Sequence, residues 1–273
     1  MKKKIVAILL AALMLAACLA GCQQPAANDG NEGGATRTFT VGFDAEFPPY
    51  GYIDDNGDYD GFDLALAAEV CERLGWELQL QPIVWESKDA ELESGNIDCI
   101  WNGFTKSPDR EDDYTWSVPY VDNSQVIVVK DDSGISSLSD LAGKTVMVQA
   151  GSSALSALEG EDCAELTATF GELLEVADYN AGFMELENGT IDALAMDIGV
   201  ANYQINTRGG GYTILDESIA TEVYCVGFLL GNTELMYTVQ GVLLEMAEDG
   251  TMLEIAEQYV DRGLVIDSLC LLD

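Results

Sequence analysis

Phe39, Val41 and Phe43 alternate with small or polar residues, a period of two that predicts a strand beginning near Thr38. Pro48-Pro49 interrupts the chain soon after it, and Asp55-Asn56-Gly57 between Tyr52 and Tyr59 has the composition of a hairpin turn. Phe62, Leu66, Val70 and Leu74, flanked by Ala67 and Cys71, recur at helical spacing and stop at Gly75, the residue type that suits a helix cap. Trp76, Leu78 and Leu80 alternate again, so a βα unit runs into another strand and the chain reads as α/β. Residues 125–129 and 223–230 are strand-like, and residues 233–260 form an amphipathic helical stretch interrupted at Asp249-Gly250.

An internal echo organises these elements. Glu93-Ser94-Gly95-Asn96-Ile97-Asp98-Cys99-Ile100 returns as Glu187-Asn188-Gly189-Thr190-Ile191-Asp192-Ala193-Leu194. Each copy reads as a helix end, a capping glycine and an apolar strand. Two lobes of similar build are one reading; independent convergence on a common turn is the other. On the first, residues 37–123 and 224–273 make lobe 1 and residues 124–223 make lobe 2, with crossings at 125–129 and 223–230.

The N-terminus carries a different pattern. Lys2-Lys3-Lys4, an apolar run over residues 5–19 and then Leu19-Ala20-Gly21-Cys22 have the layout of a secretory signal. The segment resembles the bacterial lipoprotein signal, which implies that residues 1–21 are removed and that Cys22 carries a lipid. Leu15-Ala16-Ala17-Cys18 fits the same pattern, although the polar run from Gln23 favours the later cut. A plain cleaved signal or a short anchor helix are the competing readings. Residues 22–36, rich in Gln, Ala, Asn, Gly and Pro, read as a flexible tether. The expected location is the extracytoplasmic face of the cell membrane.

Composition narrows the chemistry. Twelve basic residues stand against 48 acidic ones, a formal net charge of −36. Nucleic acid is excluded as a partner class, since phosphate binding needs clustered Lys and Arg. Anionic headgroups repel such a surface, so the lipid anchor would hold it at the membrane. The chain has no histidine, which removes His-based triads, His metal sites and imidazole acid-base chemistry. Besides Cys18 and Cys22, Cys71, Cys99, Cys163, Cys225 and Cys270 are scattered without a CxxC spacing, which argues against zinc. Cys71 and Cys99 lie on apolar faces as core residues, and a disulfide from Cys163 is left open.

Open α/β sheets bind ligands beyond the carboxyl ends of their strands. Four such places carry polar groups: Asp44, Asn102-Gly103-Phe104-Thr105, Gln149-Ala150-Gly151-Ser152-Ser153, and Asp197. The first two fall in lobe 1 and the last two in lobe 2, so a cleft between lobes would gather them.

Gly61-Phe62-Asp63-Leu64, Asn102-Gly103-Phe104-Thr105-Lys106-Ser107-Pro108-Asp109-Arg110, Gly151-Ser152-Ser153 and Asp197 resemble, in order and spacing, the polar amino-acid binding proteins that feed ABC importers. The resemblance runs from about residue 39 to 260. It implies a two-lobed periplasmic-binding-protein-like fold of type II that closes over one free amino acid, with no cofactor or metal, working as a monomer with a membrane permease. Arg110 would grip the ligand carboxylate through parallel N–H donors, completed by Thr105 and the amides of Gly103 and Ser153. Ser152 and Ser153 open a predicted helix, as an N-cap, an anion site, or both. Asp197 would meet the ligand ammonium, or cap the helix that starts at Ile198. Phe47 and Trp85 match positions that sandwich the ligand side chain, though aromatic residues also fill cores. Asp44, with Glu46 beside it, favours a basic or amide-bearing ligand over an acidic one. Gln149, Asn102 and Trp101 depart from the residues common at their positions and reshape the pocket, while Ala65 replaces a second acid in the first motif.

For Arg110 the alternative is a surface ion pair with Glu111, Asp112 or Asp113. Gly143-Lys144-Thr145 lacks the first glycine of a phosphate loop, and Asn56, Asp58, Asp60 and Gly61 lack the closing glutamate of a calcium loop; both read as turns. The expected function is thus binding, not catalysis. Its rivals are a dehydratase-like enzyme on the same scaffold, relying on a carboxylate for proton transfer, and the ligand-binding subunit of a sensor.

Overall fold

The computed structural model describes residues 36–272; the signal, Cys22 and the tether up to Ala35 lie outside them. The first part of the chain supplies β1 (Thr38–Phe43), β2 (Glu46–Phe47), β3 (Gly51–Ile53), β4 (Tyr59–Asp60), β5 (Glu77–Pro82), β6 (Cys99–Ile100) and β7 (Tyr114–Trp116). The middle supplies β8 (Val121–Lys130), β9 (Thr145–Gln149), β10 (Glu172–Val176), β11 (Ala193–Asp197), β12 (Tyr212–Ile214) and β13 (Ala220–Tyr224), with β14 (Gly227–Leu229) next in the chain. A five-stranded sheet runs β5-β1-β6-β14-β7. A six-stranded sheet runs β10-β9-β11-β8-β12, with β13 also on β8; β2, β3 and β4 form a small third sheet.

The alternating residues Phe39, Val41 and Phe43 are fully buried in β1, which lies between parallel neighbours β5 and β6. Helix Phe62–Leu74 packs its apolar stripe on this sheet and ends at Gly75, whose φ of 66° is the left-handed cap that glycine adopts without strain. Helices Thr233–Asp249 and Thr251–Glu257 return the C-terminal part of the chain onto that same helix. They are separated at Gly250, as the Asp249-Gly250 signal predicts.

Both copies of the echo fold alike. Asp98 accepts the Thr40 N–H at 2.7 Å and donates its own N–H to Thr40 O at 2.8 Å. Asp192 does the same with Thr145, at 2.9 Å in each direction. Each acid also faces a cation, Arg37 at 3.4 Å and Lys144 at 3.5 Å, which accounts for the lysine of the apparent phosphate loop. The apparent calcium loop is a turn closed by Asp54, whose carboxylate accepts the N–H groups of Asn56 and Asp58.

The chain passes between the larger sheets twice. The first passage lies between β7 and β8, not at the expected residues 125–129: all of β8 belongs to the six-stranded sheet, paired antiparallel with β11 on one side and with β12 and β13 on the other. The second, expected as one strand over 223–230, is split. Its first part, β13, bonds to β8, and β14 bonds to β6 and β7, because Cys225 leaves the ladder to donate its N–H to Phe104 O. Cys71, Cys99, Cys163 and Cys225 are buried free thiols, and Cys270 Sγ lies 3.4 Å from Asp122 Oδ1. No helix among the described residues is long and apolar enough to cross a membrane.

Candidate functional site

Nine of the eleven predicted binding residues line one crevice where the two larger sheets face each other: Phe47, Trp85, Gly103, Thr105, Arg110, Gln149, Ser152, Ser153 and Asp197. They come from segments up to 150 residues apart, brought together by strands whose ends meet. The crevice encloses only about 10 Å³, room for at most one water. The walls of the crevice thus lie close together, with side chains of both sheets in reach of one another. A wider cleft of about 880 Å³ adjoins it and shares Ser153.

The side belonging to the first sheet is cationic. Arg110 is 8% exposed; its guanidinium sits 5.8 Å from the Phe104 ring centre and donates to Gly151 O at 3.2 Å. The alternative surface pairing does not form with Glu111, which pairs instead with Lys106 at 3.1 Å; Arg110 has only a loose 3.9 Å contact with Asp109. Beside it stands Lys88, which no sequence pattern singles out, since a lysine in a helical first turn ordinarily points to water. It is 5% exposed, donates to the same Gly151 O at 3.2 Å, and lies over Trp85 at 5.4 Å. Burial, and then the charge of Arg110, lower its pKa to about 8.

Gly103 fixes the loop between these groups. Its φ is 54°, and a Cβ there would come within 2.6 Å of the Phe47 ring, so glycine is required on both counts. Its amide, expected in the carboxylate shell, instead donates to Asp63 Oδ2 at 2.6 Å. Asp63 also accepts from Tyr120 at 2.8 Å, and its burial raises its pKa to about 7. The aspartate of the first motif is thus a buried strut under the site loop, and it occupies the donor expected to serve the ligand.

The second sheet contributes acid. Asp197 stands at the N-cap position of helix Ile198–Arg208 but makes no capping hydrogen bond. Its Oδ1 accepts from Asn123 at 2.7 Å, Gln125 at 2.7 Å and Tyr224 at 2.6 Å, and Oδ2 accepts from Tyr179 at 3.3 Å. Burial, followed by the nearby charge of Glu222, raises its pKa. Ser152 caps helix Ser153–Glu159 by accepting the Leu155 N–H, while the Ser153 hydroxyl turns toward Thr105 (3.2 Å), Gln125 (3.0 Å) and Glu222 (3.2 Å).

Asp44 and Asn102 stand beside the crevice and do not line it. Asn102 Oδ1 accepts the Asp44 N–H at 2.9 Å, and Asp44 Oδ2 accepts Gln149 Nε2 at 2.7 Å, joining the two sheets. Burial raises Asp44 to about 6. Phe47 stacks tilted on Tyr179, and Trp85 meets Phe104 edge-on. Sequence patterns do not select Lys88, Asn123, Gln125, Tyr179, Glu222 or Tyr224. Asn123 and Gln125, two apart in the polar first half of β8, share one face of the strand, a signal that alternation could have supplied. Among the described residues no cluster has the ligands to hold a metal ion.

Against known proteins, the chain is 28% identical to the L-cystine-binding protein TcyJ of Escherichia coli (strain K12) over 224 residues, 81% of this chain and 82% of that one. An ABC uptake transporter substrate binding protein from Streptococcus pneumoniae, solved with bound histidine, superposes with a TM-score of 0.80 at 33% identity, covering 84% of this chain and 94% of the other. An ancestral amino acid-binding protein, a precursor of cyclohexadienyl dehydratase, superposes at 0.74 and 29% identity over 81% and 95%. These structures have the two-lobed fold expected from the motifs. Residues 39–262 match the family model, and the chain belongs to the bacterial extracellular solute-binding proteins, family 3.

Proposed function

We propose that this protein captures a free polar amino acid, basic or amide-bearing, outside the cytoplasm and presents it to the permease of an ABC importer. Arg110 grips the α-carboxylate, Asp197 meets the α-ammonium, Phe47 and Trp85 flank the side chain, and Asp44 with Gln149 reads its far end. The lobes are residues 37–123 with 224–273, and residues 124–223. Cys22 carries the lipid that holds the protein at the membrane.

The observation that carries this reading is that Arg110, in the segment between β6 and β7, and Asp197, at the end of β11, line one crevice as a guanidinium and a carboxyl group. A zwitterion placed between them satisfies both, and bridging stabilises the closed form that a permease can recognise. The buried acid Asp44 at the end of the site supports a neutral or cationic side chain. A relative named for L-cystine and a similar structure solved with bound histidine support an amino-acid ligand. The likeness to a dehydratase precursor keeps an enzymatic reading in view, for which Asp197, with its raised pKa, is the available acid.

Calorimetry of the chain, stripped of co-purified ligand, against the common amino acids and L-cystine tests the reading. Binding at micromolar Kd or tighter, about −8 kcal/mol or better, is expected for a basic or amide-bearing member. Silence across the panel overturns it, and turnover of a prephenate-like acid would favour the enzyme.

A further inference from the structure

We propose that Glu222 is a second carboxylate for the ligand ammonium, acting with Asp197 to select solutes that carry a free primary amine. The inference rests on the amino-acid reading and adds a residue that neither the motifs nor the crevice lining single out.

Strand register brings the two acids together. On one side of β8, Asp197 lies opposite Gln125; on its other side, Glu222 of β13 lies opposite Asn123. The two acids therefore flank the same stretch of β8. Gln125 Nε2 is 2.7 Å from Asp197 Oδ1 and 2.6 Å from Glu222 Oε1, and Asn123 Nδ2 is 2.7 Å from each. A side-chain amide nitrogen has two hydrogens, so each of these nitrogens can give one to each carboxylate.

Charge and hydrogen bonding point the same way. Among the described residues, neither Asp197 nor Glu222 forms an ion pair, so two neighbouring carboxylates, one of them fully enclosed, are met only by neutral donors. Independently, Asn123 Oδ1 and Gln125 Oε1 are buried and accept no hydrogen bond from the described residues. The cluster has several neutral donors but no cation, and it keeps acceptor capacity that those donors leave unused. Its complement is a compact cation that only donates, which describes a primary ammonium with its three N–H groups.

Position supplies the remaining link. Glu222 Oε1 accepts from Thr105 at 2.7 Å and lies 3.2 Å from Ser153 Oγ, and both hydroxyls line the crevice. The cationic groups Arg110 and Lys88 converge on Gly151. A ligand with its carboxylate at Arg110 and its ammonium at Asp197 brings the amine to the Thr105 and Ser153 wall, behind which Glu222 stands.

The test uses the full chain and the tightest binder among L-arginine, L-histidine, L-glutamine and L-cystine, each compared with the same acid lacking its α-amino group. Glu222→Gln should weaken the amino acid about 10- to 100-fold, as expected for a hydrogen bond to a charged group, and leave the des-amino acid within about twofold. An equal loss for both compounds would assign Glu222 a purely structural part through Thr105 and overturn the inference. Unchanged affinity for the amino acid would also overturn it. If the amide variant melts early, Glu222→Asp keeps the charge with a shorter reach and should give an intermediate loss confined to the amino acid. A wild-type chain that binds none of the four would instead remove the amino-acid reading itself.

Discussion

The two larger sheets repeat one corner and differ in the charged groups that they and their connecting segments carry around the crevice. At the corner, Asp98 and Asp192 close the same pair of backbone hydrogen bonds, each with a cation in front of it. Around the crevice, the segments joining strands of the first sheet offer Arg110 and Lys88, and the second sheet offers Asp197 at the end of β11 and Glu222 within β13. A repeated frame has thus been given opposite charges, and the repeat predicts the frame only. On the proposed function, binding rests on groups the repeat does not copy.

The sharpest way to break this comparison is to remove its positive half. Arg110→Ala should weaken ligand binding by more than about 100-fold, on the order of 3 kcal/mol, because the ligand carboxylate would be enclosed without its counter-charge. Affinity retained within tenfold by calorimetry would show that the charge asymmetry is not what binds. Next in size is the corner. Asp98→Ala and Asp192→Ala should each cost about 1–3 kcal/mol in denaturant unfolding, the penalty of leaving a partly buried backbone N–H without its acceptor. The two losses should agree within about 1 kcal/mol. A large loss at one position and none at the other would reduce the echo to a coincidence of letters.

The smallest effect concerns pH. Asp44, Asp63 and Asp197 all have folded pKa values raised by burial, to about 6 and about 7 for the first two. A carboxylate with a raised folded pKa favours the fold fully below its unfolded value, and that contribution fades as pH climbs through the folded pKa. The ligand-free protein should therefore lose thermal stability from about pH 4 to pH 7. Asp63→Asn removes one of the three titrations, so its melting temperature should fall less steeply over that window; parallel curves would refute the assignment.

Much of the architecture is legible in the sequence because it is written locally. Alternation marks β1, and the four-residue spacing with Gly75 marks helix Phe62–Leu74 with its end. Gly189 marks the second echo, where φ is 75°. Asp44, Gly103, Gln149 and Asp197 are readable as strand-end residues. The rest depends on partners distant in sequence. Glu222 reaches Thr105 across 117 residues, and Gly103 gives its amide to a side chain 40 residues earlier. A strand pattern says which face a residue takes, not which strand lies beside it. For the same reason the 223–230 segment reads as one strand: its division depends on two different neighbours.

Gly151 O has a consequence for affinity. It accepts from both Arg110 and Lys88, while Gln149, also in the crevice wall, reaches Asp44. On the proposed function, a ligand carboxylate at Arg110 would share these donors with Gly151 O, since a guanidinium has five N–H groups and an ammonium three. Net affinity would then be a difference between two sets of contacts, those the solute makes and those the protein makes with itself.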